Sequence, residues 1–119
     1  MPEINYRITT PSLQESRPTR YSPISGILNS AIIHFPAGLN SYVEVIIYKG
    51  TNQLLPTPVK GGAGSTGIAL DDTTQSFDIN EPVEQGEPLE VHILNHDGAN
   101  PHTITVVLLI AKQQSYTGP

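Results

Sequence analysis

The chain of 119 residues contains no cysteine and no tryptophan, one methionine, and few charges, 14% of residues. Each scarcity excludes something. Without cysteine there are no disulfides, no thiolate metal sites and no cysteine nucleophile. Without tryptophan, the commonest aromatic platform of sugar-binding sandwiches is missing. The longest apolar run, Val106 to Ala111, is far too short to span a bilayer. The start, Met1-Pro2-Glu3-Ile4-Asn5, has neither a basic stretch nor an apolar segment of signal-peptide type, so a soluble protein without membrane contact is expected. An average domain has about 25% charged residues. The low charge here suits repeated contact with protein neighbours, since few charges need desolvating.

The charges present are unevenly placed. Residues 1–26 hold all three arginines, Arg7, Arg17 and Arg20, and carry a net +1, whereas residues 27–119 carry −6. An acidic body is a poor match for phosphate, so no nucleic-acid partner is expected.

The chain reads as one domain with two parts. In residues 1–26, Pro2, Pro11, Pro18 and Pro23 alternate with the apolar anchors Ile4, Tyr6, Ile8, Leu13, Tyr21 and Ile24. That is too proline-rich for a helix and too apolar for a solvated linker, so it predicts an extended arm lying along a surface, with a short strand at Asn5–Thr9.

From residue 27 to 119 the period is two. Ile27, Ala31, Ile33 and Phe35 share a face interrupted by Asn29. Val43, Val45 and Ile47 alternate with Tyr42, Glu44, Ile46 and Tyr48. Short strands are expected at Gln53–Leu55, Ile68–Leu70 and Ser76–Ile79, and Leu89, Val91 and Ile93 alternate with Glu90 and His92. Turns every 8–12 residues and no 3.6-residue period predict an all-β fold, a single antiparallel β-sandwich of jelly-roll type carrying an N-terminal arm.

The strand His102–Ala111 is apolar on both faces. Ile104, Val106, Leu108 and Ile110 can fill a core, while Val107, Leu109 and Ala111 point the other way. An antiparallel sheet normally keeps one wet face. The arm or a neighbouring subunit is expected to cover the second one. Ile46, flanked by Tyr42 and Tyr48, predicts another outer apolar stripe.

Candidate chemistry fails on context. Gly62-Ala63-Gly64-Ser65-Thr66-Gly67 fits a dinucleotide pattern, but the strand-like Ile68-Ala69-Leu70 follows where a helix is required. The segment Leu94 to Ile104, with Asn95-His96-Asp97 and Pro101-His102-Thr103, resembles part of a cupredoxin. The copper site which that resemblance implies needs a thiolate, so His102 is read as a residue bonding its own loop. His96, His102 and Asp97 could otherwise hold a metal. Asp71, Asp72, Asp78, Glu81 and Glu84 lack calcium-loop spacing and read as a solvated rim. No nucleophile elbow is present, and adjacent Asp71 and Asp72 would point to opposite faces. No catalytic, cofactor or metal residue is assigned, and the chain is read as not an enzyme.

Gly67 to Ile110 runs through Ile-Ala-Leu-Asp-Asp, Phe-x-Ile-Asn-x-Pro-Val, Gly-Glu-x-Leu-Glu-Val and Asn-Pro-His-Thr-Ile-Thr-Val. This style of sequence resembles the small jelly-roll accessory proteins of phage particles, the capsid decoration or cement proteins. The resemblance implies a virion location on the capsid surface, a homo-oligomer (a trimer in many members), and contact with a major capsid or other virion protein. The interface residues expected on that basis are Arg7, Arg17, Arg20, Tyr6 and Tyr21 in the arm, and Tyr42, Ile46, Tyr48, Val107 and Leu109 on sheet faces. The alternative reading is a carbohydrate-binding or adhesion sandwich of a tail or cell-surface assembly, with Tyr42 and Tyr48 as the stacking pair.

Overall fold

The computed structural model describes residues 3–39, 42–56 and 67–112. The described chain is all strand and turn: β1 (Glu3–Thr10), β2 (Glu15–Ser16), β3 (Thr19–Tyr21), β4 (Gly26–Phe35), β5 (Val43–Lys49), β6 (Asn52–Leu55), β7 (Thr73–Val83), β8 (Pro88–Asn95) and β9 (His102–Lys112). Among the described residues no helix is long and apolar enough to cross a membrane. Two antiparallel sheets pack as a β-sandwich. Sheet A has the order β1-β9-β4-β7. Sheet B has the order β2-β8-β5-β6, with β3 pairing β8 beyond β2.

The alternation predicted from sequence places the core. Val43, Val45 and Ile47 of β5, Leu89, Val91 and Ile93 of β8, and Ile104, Val106, Leu108 and Ile110 of β9 are all fully buried between the sheets. Residues 50 and 51 join β5 to β6, and Gly50 takes the positive φ of 58° that such a tight connection requires.

Three expectations need correction. In β4 the core residue is Leu28, not Ile27. A β-bulge between Leu28 and Ser30 loops out Asn29, so the inward set is Leu28, Ala31, Ile33 and Phe35 and Ile27 turns outward. The strand expected at Ile68–Leu70 reduces to one bridge, Ile68 with Val45. The strand expected at Ser76–Ile79 is instead the eleven-residue edge strand β7. The glycine loop Val59–Gly67 lies outside the described residues apart from Gly67 itself.

The N-terminal segment is built into the sandwich. β1 pairs with β9 along its whole length, from Glu3 opposite Leu109 to Thr10 opposite His102. Prolines 11, 18 and 23 fall between β1, β2, β3 and β4, where no ladder donor is lost. The shared side of this segment is apolar for a reason: Ile4 and Tyr6 fill the core beneath β1.

Candidate functional site

Tyr6 is fully buried, and its hydroxyl donates across the sandwich to the carbonyl of Leu89 at 2.7 Å. Burial pushes the phenol up to about 12 from 10.0. Arg20, on β3, sets its guanidinium carbon 5.3 Å from the Tyr6 ring centroid. Tyr6 therefore serves the core and is not surface, and Arg20 packs on its own domain. Arg17 bonds Glu15 at 2.9 Å. Of the arm residues expected at an interface, Arg7 and Tyr21 stand outward, Tyr21 at 65% exposure.

The outer face of sheet A is a grid set by the strand register. Opposite residues lie on the same side of a sheet. One row runs Asn5–Val107–Ile32–Ser76 from β1 to β7. The next runs Glu3–Leu109–Ser30–Asp78, and the row on the other side runs Arg7–Thr105–His34–Thr74. Ile27 and Ala111 pair beyond Leu109. The two central strands thus present an apolar stripe, bounded by polar and charged residues on the edge strands. Ile27, Ile32, Val107, Leu109 and Ala111 are each half-buried. Val107 and Leu109 are where the two-faced β9 pattern requires them, and Ile27 and Ile32 extend their stripe. The bulge that moved Ile27 outward was not decodable from alternation alone.

The outer face of sheet B is different. Ile46 faces His92 and Tyr48 faces Glu90. His92 Nε2 lies 2.9 Å from Glu90, and the Tyr48 and His92 rings meet with centroids 4.4 Å apart at 35°. His96 reaches Glu44 at 2.7 Å. Gly67 sits so close to β5 that a Cβ added there would lie 2.8 Å from Glu44 Cβ and 3.1 Å from Ile46 Cγ1. The chain's own backbone therefore covers part of the Ile46 stripe. Tyr42 is 50% exposed. It lies just before β5, six residues from Tyr48, whose ring meets His92 at a tilt.

The loop from Asn95 to His102 is a hydrogen-bonded knot. The Asn95 side chain, 2% exposed, donates through Nδ2 to the carbonyls of Thr10 (3.0 Å), Pro11 (3.3 Å) and Asn100 (3.0 Å). Its Oδ1 accepts from the Asp97 amide at 2.9 Å. Asp97 accepts from the Ala99 amide at 2.8 Å and pairs with His102 at 2.7 Å. The His102 contact, then the Ala99 amide, holds the Asp97 carboxyl below its ordinary value. Ser12 joins this cluster, but its hydroxyl donates to the Asp97 backbone carbonyl at 2.7 Å. That wiring spends the hydroxyl on a carbonyl and does not activate it as a nucleophile. His102 acts as the loop-bonding residue predicted from sequence. Among the described residues, no three His, Asp or Glu side chains group to hold a metal ion.

Beside this knot Leu13, Gln14, Glu15, Leu94, Asn95 and His96 line an open hollow of about 520 Å³. Leu13 stands there at 69% exposure with a φ of 57°. A leucine in that region is strained, and no sequence signal marks it.

The fold and surfaces define a β-sandwich with an apolar interior, an outer face on sheet B where ion pairs stand among Ile46, Tyr48, Leu94 and the exposed Tyr21, and an outer face on sheet A with a half-buried apolar stripe. No known family model matches the chain, and no curated protein does either.

Proposed function

We propose that this protein is a non-enzymatic assembly component, a decoration (cement) protein on the outside of a virus capsid, acting as a homo-oligomer that bridges capsid subunits. The observation that carries the reading is the stripe Ile27, Ile32, Val107, Leu109 and Ala111 on the outer face of sheet A, bounded by polar edge strands. Apolar surface of this kind gains about 25 cal/mol per Å² when covered, and a low-charge rim keeps the cost of covering it small.

The strand order supports a jelly roll. Sheet A takes β1, β4, β7 and β9, and sheet B takes β2, β3, β5, β6 and β8, so the chain crosses between sheets after β1, β3, β4, β6, β7 and β8. Jelly rolls serve viral capsids, lectins and cupins. This step is an analogy of fold, and the surfaces narrow it. Among the described residues the buried interior is apolar except for Thr10, Ser22 and Asn95, which speaks against a cupin-like polar chamber. The separated tyrosines speak against a lectin platform.

The test is co-expression with the major capsid protein encoded in the same genome, followed by sedimentation of the particles. The protein should travel with the particles in a fixed ratio and raise their temperature of disruption. Particles that sediment without it would overturn the proposal.

A further inference from the structure

We infer that the covered partner of sheet A's outer face is a second copy of this chain, docked face to face about a two-fold axis along the row Asn5–Val107–Ile32. The inference deepens the assembly reading and rests on it for the expectation that the protein is an oligomer.

The argument is one of self-complementarity. Glu3 and Arg7 both point outward from β1, and each stands two residues from Asn5. They carry opposite charge. An axis through the Asn5 row exchanges the rows on either side of it, so Glu3 of each copy comes opposite Arg7 of the other. The same operation sets Leu109 opposite Thr105, Ser30 opposite His34 and Asp78 opposite Thr74, and lays Val107 and Ile32 on their own copies at the centre. An isologous interface requires a patch that matches itself. A capsid protein would need a surface complementary to this one, and nothing would then require the patch to be its own complement.

The dimensions fit. β9 has eleven residues, about 37 Å of strand, and four strands at about 4.8 Å spacing give a footprint on the order of 700 Å². Standard interfaces bury about 800 Å² per partner. Aligned sheet packing, about 30° apart and about 10 Å between sheets, is the ordinary way two such faces meet. The two-fold pair replaces the trimer that the family resemblance implies.

The experiment is sedimentation equilibrium of the full chain over a dilution series, for wild type, Val107→Lys, Glu3→Arg, Arg7→Glu and the double variant E3R/R7E. Wild type should dimerise reversibly. Val107→Lys should be monomeric with an unchanged far-UV spectrum. Each single charge reversal should raise the dimer Kd about tenfold, since it replaces two attractive pairs by two repulsive ones. The double variant should return to within about threefold of wild type, because the pairs are restored with their signs exchanged. If Val107→Lys misfolds, the charge series still decides, as Glu3 and Arg7 are exposed on an edge strand. A wild-type monomer, a trimer, or charge reversals that are not rescued in the double variant would overturn the inference. Particle attachment is read separately. A monomeric Val107→Lys that still attaches supports this dimer surface and leaves attachment to the capsid intact, but removes bridging through the oligomer from the reading. A wild-type dimer that never attaches supports the surface and sinks the capsid reading.

Discussion

Replacing Asn95 by alanine removes a side chain that ties three parts of the chain together: the end of β1, the start of the loop after β8, and that loop's return. Four hydrogen bonds disappear, of which the one to Pro11 is the longest at 3.3 Å. Three good bonds at a net value of about 1 kcal/mol each give a loss of about 3 kcal/mol. Water entering the space left by the amide offsets part of the cost of stranded carbonyls. Stranded groups that water does not reach add to it. At roughly 4 °C per kcal/mol for a domain of this size, Tm should fall by about 12 °C. Urea denaturation at fixed pH, with the same m-value for both proteins, measures the difference directly. Asn95→Asp is the sharper variant. It keeps the acceptor for the Asp97 amide but turns an oxygen toward the carbonyls of Thr10, Pro11 and Asn100. At neutral pH it should cost more than the alanine. Asn5→Ala, on an exposed position, should change stability by less than about 0.5 kcal/mol. An Asn95→Ala loss under about 1 kcal/mol, or an Asn95→Asp variant more stable than the alanine, would refute the view that this amide is the knot of the loop.

Tyr6→Phe should cost about 1–1.5 kcal/mol by leaving the Leu89 carbonyl without its partner, measured by the same urea titration. Because the folded Tyr6 phenol sits at about 12 and not 10.0, its contribution is fully present below pH 10 and is lost as pH rises toward 12, which ultraviolet titration of tyrosinate will follow. Asp97 is shifted the other way, below its ordinary 3.8. Its contribution is therefore present above that value and is lost as pH falls through the lower folded value, so amide exchange at Ala99 should accelerate in acid, and Asp97→Asn should remove that dependence. Lys49 bonds Glu81 at 2.7 Å from the opposite sheet, and this bond raises the lysine above its ordinary 10.5. The pairing is present below that value and is lost as pH rises past it. Lys49→Met should lower stability by about 1 kcal/mol at neutral pH and flatten the loss in strong alkali.

The inner half of this fold is legible in the sequence because period two is a direct consequence of the pleat. β5 and β8 carry a clear alternation, and in β9 the even-numbered residues Ile104 to Ile110 fill the core while the other apolar face turns out. The outer half is less legible because it depends on what is inserted or laid across. Asn29 interrupted the β4 pattern visibly, but alternation alone gives two phases on either side of an interruption, and the bulge selected the one with Leu28 inside. Ile46 read as open surface because its cover, Gly67, is distant in sequence and has no side chain to advertise the contact. Tyr6 read as an arm anchor looking for a neighbour. The neighbour is the chain's own β8, reached only once β1 pairs with β9, a contact between residues about a hundred positions apart. The loop-bonding role of His102 was readable because its partner, Asp97, is five residues away.

The three arginines of residues 1–26 show how the two outer faces differ in purpose. Arg17 is matched to Glu15, Arg20 turns to the Tyr6 ring on the core side of β3, and on the outer face of sheet B Glu44 and Glu90 are matched to His96 and His92. Exposed pairs of this kind are worth little to stability, with a median near 0–1 kcal/mol. Their effect is to leave sheet B's outer face with few charges seeking a partner, although Tyr21 stands exposed on it. On sheet A, Arg7 has no ion pair among the described residues, and Glu3 has only a long exposed contact of 3.4 Å from Asn5. Two opposite charges left unmatched on one edge strand, beside a stripe of isoleucine, valine and leucine, contribute nothing to the isolated fold. Both become useful together if the face is covered by a surface carrying the same two charges in reverse order. A two-fold copy of the same strand carries them so.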